Sequence, residues 1–500
     1  MNWILWLYFI NTVLILFIAI REARKPAKAL FWLTLSLVLP VLAFVVYLLI
    51  SNPLDIPREK LKLSSPMSNK LPDLFSHSTL AIAQTLQPFS VHGLQNGRVQ
   101  VLANGIKTFE VLSQSIKLAQ RTIDLEYYIY RDDQIGRKIT DLLIDRASFG
   151  VQIRFMRDGW GSRQFPKYQI SRMMAAGIEC RTIFPLRFPW ISAHLCYRDH
   201  CKNVVIDGTE AFAGGINIGY EYTGLKPDVG FWRDTHVRMI GEVSDDLQTI
   251  FDNHWNIASP DRVMIHQKEK LLDKPFRTIS SSRKTTLSRL SSEWNFEIGT
   301  MNGIDLETVP DSDMLHHAYI QTLEGNPGIP TEVIRETYFI ALTQATQSIE
   351  LTTPYFVPDE DIIMAMKTAV ARGVHIRLLT SSQKDLSTLI VGQASRTYYG
   401  ELLEAGVNIY LYNKGMLHSK SMLIDGEITI VGSANYDSRS FRLDYEICAV
   451  IYNSDVVNEL TKQFEYDLTQ SIALRIEDLA QLSIIQRVVD QGARLLSPYI

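Results

Sequence analysis

Two stretches of the sequence carry the same set of chemically capable residues. HCKNVVIDGTEAFAGGIN runs from His200 to Asn217, and HSKSMLIDGEITIVGSAN runs from His418 to Asn435. Each contains histidine, lysine, aspartate, a Gly-Gly or Gly-Ser pair and asparagine at identical spacing. A single His-x-Lys is usually a pair of exposed side chains with no chemical role, and Asp-Gly is a common hairpin turn. Chance does not explain the recurrence of the whole set, so the pattern predicts a site built from both copies.

Strand periodicity separates the members of each set. Residues two apart in a strand share a face, so His200 and Lys202 point one way and Asp207 points the other. The second copy repeats this parity with His418, Lys420 and Asp425. The histidine and lysine are therefore predicted to do chemistry, and the aspartate is predicted to fix the turn or its neighbours.

Each stretch is expected to fold as a hairpin. In the first copy a loop of four residues, 207–210, places Asn217 across from His200. The same loop length in the second copy places Asn435 across from His418. Opposite side chains in an antiparallel pair lie about 5 Å apart. One face of each hairpin would then display a histidine, a lysine and an asparagine.

Two imidazoles, two ammonium groups and two carboxamides suit a phosphodiester substrate. Lysines and amides hold non-bridging oxygens, while one histidine attacks phosphorus and the other protonates the leaving oxygen. A nucleophilic imidazole needs an acceptor at its other nitrogen. Asp234 and Glu446 are the candidates, although a lone carboxylate is more often a solvated charge. No metal or other cofactor is expected, because two lysines supply the charge that Mg²⁺ supplies elsewhere.

The chain around the motifs repeats as well. Residues 119–156 and 345–379 each read as a strand, a helix and a second strand, so the repeat covers a whole domain. We predict domains at 81–260 and 301–500. A polar linker at 261–300 contains the run FRTISSSRKTTLSRLSS, whose composition is typical of a loop.

The amino terminus is strongly apolar. Uncharged stretches run from Trp3 to Ile20 and from Leu30 to Ile50, and about 20 such residues cross the hydrocarbon layer. A cleaved signal peptide is disfavoured because no basic n-region or cleavage site is present. We predict a two-helix transmembrane hairpin at 1–52, followed by a linker at 53–80.

Composition argues against two other classes of protein. The net charge is −4, whereas a nucleic-acid binder is usually basic, so no nucleic-acid partner is predicted. The four cysteines form no CxxC pair. The cluster HLCYRDHC, with His194, Cys196, His200 and Cys201, matches no common zinc spacing, so no zinc site is predicted there.

The carboxy-terminal run has an apolar periodicity that includes Ile485, Val488 and Val489. Such a helix can lie on a membrane surface. Packing of this face on the core is the simpler interpretation.

With these motifs the sequence resembles the phospholipase D superfamily, whose hallmark is His-x-Lys-x4-Asp-x6-Gly-Gly/Ser-x-Asn. Both copies match it at every defined position. The segments IDLEYYIYRDD, GGINIGYEYTG, FWRDTHVRMIG, TPYFVPDED and DSRSFRLDYEI resemble bacterial cardiolipin synthases in particular. The resemblance implies an α/β fold of two similar phospholipase D-like α/β/α sandwich domains facing each other. Cys201 and Asn203 are unusual within the first motif.

The resemblance also implies a function. It implies that the protein transfers a phosphatidyl group between two phosphatidylglycerol molecules and so makes cardiolipin and glycerol. The expected partners are phosphatidylglycerol and membrane lipid, and the expected location is the bacterial cell membrane, as a multi-pass protein. His200 becomes the nucleophile and His418 the general acid and base. The phosphate ligands become Lys202, Lys420, Asn217 and Asn435. Asp207 and Asp425 belong to the family motif, and their strand parity gives them a supporting role. Asp234 and Glu446, the candidate acceptors for the histidines, lie outside the motif and are also supporting groups.

Two other functions remain open at this point. The same site can use water as the acceptor, which would make the protein a hydrolytic phospholipase D. A protein of a different class, a catalytically silent membrane scaffold, would carry the same anchor. The motifs do not separate these three.

Overall fold

The computed structural model describes residues 2–23, 26–50, 75–186, 197–226, 230–261, 313–329, 331–382 and 389–497. The serine- and arginine-rich run of the linker predicted between the halves lies outside these ranges. The same is true of most of the linker predicted after the amino-terminal segment, and both domain boundaries stay predictions.

Several helices of the described chain begin where the sequence offers side chains that cap backbone N–H groups. Asn104, Asp133, Asp359 and Asn453 each accept such bonds at the start of a helix. The helices are α1 (Asn2–Arg21), α2 (Pro26–Val38), α3 (Leu42–Ile50), α4 (His77–Leu86), α5 (Gly105–Leu118), α6 (Gln134–Ser148), α7 (Lys167–Ala175), α8 (Val243–Ile257), α9 (Val333–Gln344), α10 (Glu360–Ala371), α11 (Leu389–Ala405), α12 (Ser438–Arg442), α13 (Ser454–Thr469), α14 (Ile476–Ala480) and α15 (Ile484–Arg494).

The strands form one large mixed sheet and two separate two-stranded sheets, one within the second half and one between the halves. They are β1 (Ser90–Leu102), β2 (Thr122–Tyr127), β3 (Gln152–Asp158), β4 (Glu179–Ile183), β5 (Arg198–Asp199), β6 (Lys202–Ile206), β7 (Glu210–Gly214), β8 (Phe231–Arg233), β9 (His236–Gly241), β10 (Ser259–Pro260), β11 (His316–Gly325), β12 (Ser348–Thr353), β13 (Phe356–Val357), β14 (His375–Ser381), β15 (Asn408–Tyr412), β16 (Gly415–Leu417), β17 (Ser421–Ile424), β18 (Ile428–Gly432), β19 (Tyr436–Asp437), β20 (Asp444–Tyr452) and β21 (Ser471–Ala473).

The two halves repeat the same strand order. In the first half the order is β1-β9-β7-β6-β2-β3-β4-β10, and in the second it is β11-β20-β18-β17-β12-β14-β15-β21. The predicted βαβ units are confirmed, since β2 pairs with β3 and β12 with β14 in parallel. Antiparallel pairing of β1 with β11 joins the halves into one sheet.

A shared apolar core lies at this junction. Val99 and Phe251 from the first half pack in the same buried cluster as Ile320 and Ile451 from the second. Separate clusters fill the outer part of each half. Because the central cluster draws on both halves, the core fixes how the two motifs face each other.

The motif hairpins form with a register that differs from the predicted one by one residue. Ile206 pairs with Glu210 and Ile424 with Ile428, so each loop has three residues rather than four. The aspartate and glycine that begin each loop have positive φ, which the tight turn requires. A shift of one residue in the pairing gives every side chain a different partner and places its predicted partner on the other face of the sheet. The prediction that Asn217 lies across from His200 is therefore wrong, as is its counterpart for Asn435 and His418.

The amino-terminal segment folds as α1, α2 and α3. The second apolar stretch is interrupted at Pro40, between the end of α2 and the start of α3. In the ranges that the structure describes, no helix has both the length and the apolar character that a membrane crossing needs. The transmembrane hairpin is not confirmed and stays a prediction.

Candidate active site

The first histidine is placed by a short pairing between the halves. Strand β5 runs parallel to the start of β20, with Asp199 beside Tyr445. The next residues in each strand, His200 and Glu446, are thereby brought together. Nδ1 of His200 lies 2.9 Å from Oε1 of Glu446 and 3.1 Å from Oε2. Both side chains are buried.

The second histidine is placed by the mirror arrangement. Strand β8 runs parallel to β16, with Arg233 beside Leu417. The following residues are Asp234 and His418, and Nδ1 of His418 lies 2.6 Å from Oδ2 of Asp234. Each histidine of one half is therefore paired with a carboxylate of the other.

Each lysine folds back towards its own histidine. Nζ of Lys202 donates to the backbone oxygen of His200, and Nζ of Lys420 donates to that of His418. Nζ of Lys420 also lies 2.9 Å from Nδ1 of His418. Both lysines are buried. Two ammonium groups thus lie in the same buried cluster as the imidazoles, which suits an anionic substrate.

The Gly-Gly and Gly-Ser pairs of the motifs have different tasks. A Cβ on Gly215 would lie 2.0 Å from Oδ1 of Asp234, so only glycine leaves room for that carboxylate. At the equivalent position of the second half, Ser433 donates its hydroxyl hydrogen to Glu446. The same motif position thus leaves space for the Asp234 carboxylate in the first half and hydrogen-bonds the Glu446 carboxylate in the second.

The two asparagines are buried or half-buried at the ends of their hairpins. Oδ1 of Asn217 accepts from the backbone of Ile129 at 2.9 Å, and its Nδ2 donates to the hydroxyl of Tyr222 at 2.8 Å. A carboxamide has two N–H donors, so one remains. Among the residues that the structure describes, Oδ1 of Asn435 has no hydrogen-bond partner.

The motif aspartates lie at the far end of their strands from the histidines. Asp207 accepts from the backbone N–H groups of residues 120, 121 and 122. Asp425 does the same for residues 346, 347 and 348. These carboxylates fasten each hairpin turn to the loop that precedes β2 or β12, and the structure does not bring them to the histidines.

Two aromatic residues beside the histidines were not singled out from the sequence. The ring of Tyr128 contacts His200 edge-on at 5.0 Å, and the ring of Trp232 lies 5.4 Å from His418. Both occur in segments where the sequence resembles its family, within LEYYIY and FWRD. These family-like segments, rather than any periodicity, are the signal that could have found them.

Burial and nearby ammonium groups keep both imidazoles neutral. Burial, then Lys202 and Lys420, lower the pKa of His200 well below its usual value. Burial and Lys420 lower the pKa of His418 to about 3. That Lys420 influences both histidines also shows that the two motifs share one electrostatic environment.

The carboxylates that hold the histidines differ in their electrostatics. Burial raises the pKa of Glu446 to about 7. Burial has the same tendency at Asp234, but its interactions with His418 and Lys420 outweigh burial and lower the pKa of Asp234. Burial also lowers the pKa of Lys420 to about 7. The two pairs are alike in geometry and unlike in charge.

Comparison with known proteins agrees with this geometry. Residues 112–255 and 338–468 match the family described as "Cardiolipin synthase, PLD-like domain". The cardiolipin synthase of Halalkalibacterium halodurans is 34% identical, over 98% of this chain and 93% of its own. That of Geobacillus thermodenitrificans is 35% identical, over 98% of this chain and 92% of its own.

The chain belongs to the cardiolipin synthase family. The predicted family, the enzyme class and the predicted phosphatidyltransferase function are confirmed by these matches. A solved phosphatidylserine synthase of Haemophilus influenzae shares the fold, with a TM-score of 0.59 and 12% identity over 85% of this chain and 100% of its own. The mixed α/β fold with two phospholipase D-like domains is thus confirmed.

Proposed function

We propose that this cardiolipin synthase family member transfers a phosphatidyl group from one phosphatidylglycerol to another through a covalent phosphohistidine. The observation that carries the proposal is the exchange of carboxylates between the halves. Nδ1 of each imidazole is directed at a carboxylate, so Nε2 is left for chemistry. A histidine held in this way is oriented for attack or for proton transfer.

His200 is proposed as the nucleophile. Its lowered pKa keeps the ring neutral, so Nε2 retains the lone pair that attacks phosphorus. Glu446 accepts the Nδ1 hydrogen and stabilises the positive charge that develops on the ring. The bond between phosphorus and the glycerol oxygen breaks, and the phosphatidyl group is left on Nε2 of His200.

His418 is proposed as the acid and then the base. Asp234 has a lowered pKa, so it is ionised and favours a proton on His418 when the substrate anion offsets the lysines. His418 gives that proton to the departing glycerol oxygen. It then takes the proton of the acceptor hydroxyl, which attacks phosphorus and breaks the bond to His200.

The lysines and asparagines are proposed to hold the phosphoryl oxygens. Lys202 and Lys420 are buried close to the histidines, and a bound phosphodiester anion would favour their charged forms. The Nδ2 group of Asn435 and the remaining N–H of Asn217 are proposed to donate to the same phosphoryl oxygens. Asp207 and Asp425 act only through the turns that they hold.

The protein is proposed to work at the bilayer that contains its substrates. Apolar side chains of α1 are exposed, among them Trp6, Phe9 and Leu16. The apolar face of α15 is exposed as well, since Ile485 is 76% and Val488 65% exposed. The simpler interpretation, in which that face packs on the core, is wrong for these residues. Two apolar surfaces of this kind support the proposed multi-pass or membrane-bound location.

Labelled phosphatidylglycerol and isolated membranes test the reaction. Cardiolipin and free glycerol in equal amounts are expected from membranes that contain this chain, and not from membranes that contain His200→Ala. Phosphatidic acid without cardiolipin would make the protein a hydrolase. Wild-type membranes with neither product would favour the scaffold.

A further inference from the structure

A second cluster of ionisable side chains lies directly behind the candidate active site. It contains Glu126 of β2, Asp199 of β5, His254 of α8 and Cys201, which lies between β5 and β6. All four residues are buried. One nitrogen, sulfur or carboxylate oxygen from each residue lies within 4.8 Å of those from the other three. None of these groups has a role in the proposed transfer.

The cluster is separated from the imidazoles by the backbone. Asp199 and Cys201 flank His200 in the sequence, and successive side chains of an extended segment point to opposite sides. The two flanking side chains are therefore directed away from the side on which His200 meets Glu446.

Negative charge in the cluster is not balanced by lysine or arginine. In the part of the chain that the structure describes, Glu126 and Asp199 form no ion pair with either residue type. Nδ1 of His254 lies 2.5 Å from Oε1 of Glu126. Oδ1 of Asp199 accepts from the backbone of Cys201, but its Oδ2 is buried without a hydrogen-bond partner among the described residues. A buried carboxylate oxygen without a partner is costly, and a cation would remove that cost.

The surroundings of the cluster resemble the outer shell of a metal site. Nε2 of His254 lies 3.1 Å from Oε1 of Glu324. A histidine that donates from one nitrogen to a carboxylate turns the lone pair of its other nitrogen towards a metal. Nδ2 of Asn203 donates to Oε2 of Glu126 at 3.4 Å and to the backbone of Leu247 at 3.1 Å. Nδ1 of His254 and Oε1 of Glu126 share one hydrogen inside the cluster, and a metal ion would take the place of that hydrogen.

We propose that Glu126, Asp199, Cys201 and His254 bind one divalent transition-metal ion, for which zinc is the best match. Zinc accepts nitrogen, thiolate sulfur and carboxylate oxygen in a four-coordinate shell, whereas magnesium and calcium require oxygen ligands. The thiol hydrogen of Cys201 and the Nδ1 hydrogen of His254 leave for solvent when the ion binds. Four protein ligands fill the shell, so the ion is structural and holds β2, β5 and α8 together behind His200.

Metal analysis of the purified full-length chain tests the site. Zinc at about one ion per chain is expected after dialysis against metal-free buffer. Protein produced in cobalt-supplemented medium should show a thiolate-to-cobalt charge-transfer band in the near ultraviolet. That band should disappear in Cys201→Ser and remain in Cys448→Ser, which changes a buried cysteine of β20 outside the cluster.

Several results would overturn the proposal. One is wild-type protein that contains no metal as isolated and gains none on incubation with zinc. Another is a cobalt protein with no thiolate band, or with a band that survives Cys201→Ser. If Cys201→Ser does not fold, X-ray absorption of the wild-type metal replaces it, and a shell without sulfur would count against the site. None of these readouts uses transferase activity, so their failure is distinct from failure of the proposed function.

Discussion

Nδ1 of His200 in the first half lies 2.9 Å from Oε1 of Glu446 in the second half, and the pair of His418 with Asp234 is its reciprocal. Neither half holds a complete histidine–carboxylate pair. Each histidine therefore depends on a carboxylate of the other half. The pairing of β1 with β11 and the shared core keep the halves in the relative position that these contacts require.

Removal of the charge on Glu446 tests this division. Glu446→Gln is expected to lower kcat by about 10²- to 10⁴-fold with little change in KM, because the amide no longer stabilises positive charge on His200. The measurement is steady-state cardiolipin formation. Glu427→Gln is the matched control, since Glu427 is a second-half carboxylate that binds Ser76 and Thr79 instead. Equal rates for the two variants would contradict the assignment.

The pH dependence of kcat/KM is expected to be a narrow bell centred near neutrality. Below about pH 7 Glu446 is protonated and cannot accept the Nδ1 hydrogen as a carboxylate. Above about pH 7 Lys420 loses its charge. Since kcat/KM reports the free enzyme, both limbs should appear there. Glu446→Gln should remove the acid limb, and Lys420→Arg should move the alkaline limb upwards. A wild-type profile without an acid limb would contradict the role assigned to the Glu446 carboxylate.

Gly215 is predicted to be irreplaceable for a steric reason. In Gly215→Ser the new Cβ would collide with Asp234 and displace it from His418, so kcat should fall by about 10²-fold. The reciprocal change, Ser433→Gly, removes one hydrogen bond to Glu446 and creates no collision, so a loss of about tenfold is expected. Wild-type activity in Gly215→Ser would show that Asp234 is not needed in its present place.

Asp207 is predicted to support stability rather than turnover. Burial disfavours its charge, but three backbone N–H groups outweigh burial and lower the pKa of Asp207. Its contribution is therefore complete at neutral pH and is lost as the pH falls through that lowered pKa. Asp207→Asn should reduce the free energy of unfolding by about 1–2 kcal/mol, measured by denaturant titration, and leave kcat unchanged. Asp145→Asn is the control, because this carboxylate pairs with Arg146 instead of backbone N–H groups. A large loss of kcat in correctly folded Asp207→Asn would contradict the structural role.

The identity of the histidines, lysines and carboxylates of the site was predictable from the sequence, because both copies of the motif repeat at fixed spacing. The pairing of Glu446 with the histidine of the other half was not predictable, because it depends on strand pairings of only two or three residues between segments far apart in the chain. Such short pairings leave no periodicity in the sequence. The same limit hides the cluster of Cys201 with Glu126 and His254, whose members come from three separate elements.

The hairpin register shows a second limit. The Asp-Gly pair at 207–208 correctly predicted a turn, but whether three or four residues form the loop depends on backbone angles. Positive φ at both positions selects the shorter loop. One residue of error then moved Asn217 and Asn435 out of the positions assigned to them.

A donor lipid that releases p-nitrophenol tests the central claim most directly, because this leaving group departs without a proton. With His418→Ala we expect a burst of about one equivalent of p-nitrophenol followed by arrest, and mass spectrometry should find the phosphatidyl group on His200. With His200→Ala no burst is expected. A burst that survives His200→Ala, or a lipid adduct on any other residue, would contradict a single site in which His200 attacks and His418 moves the proton.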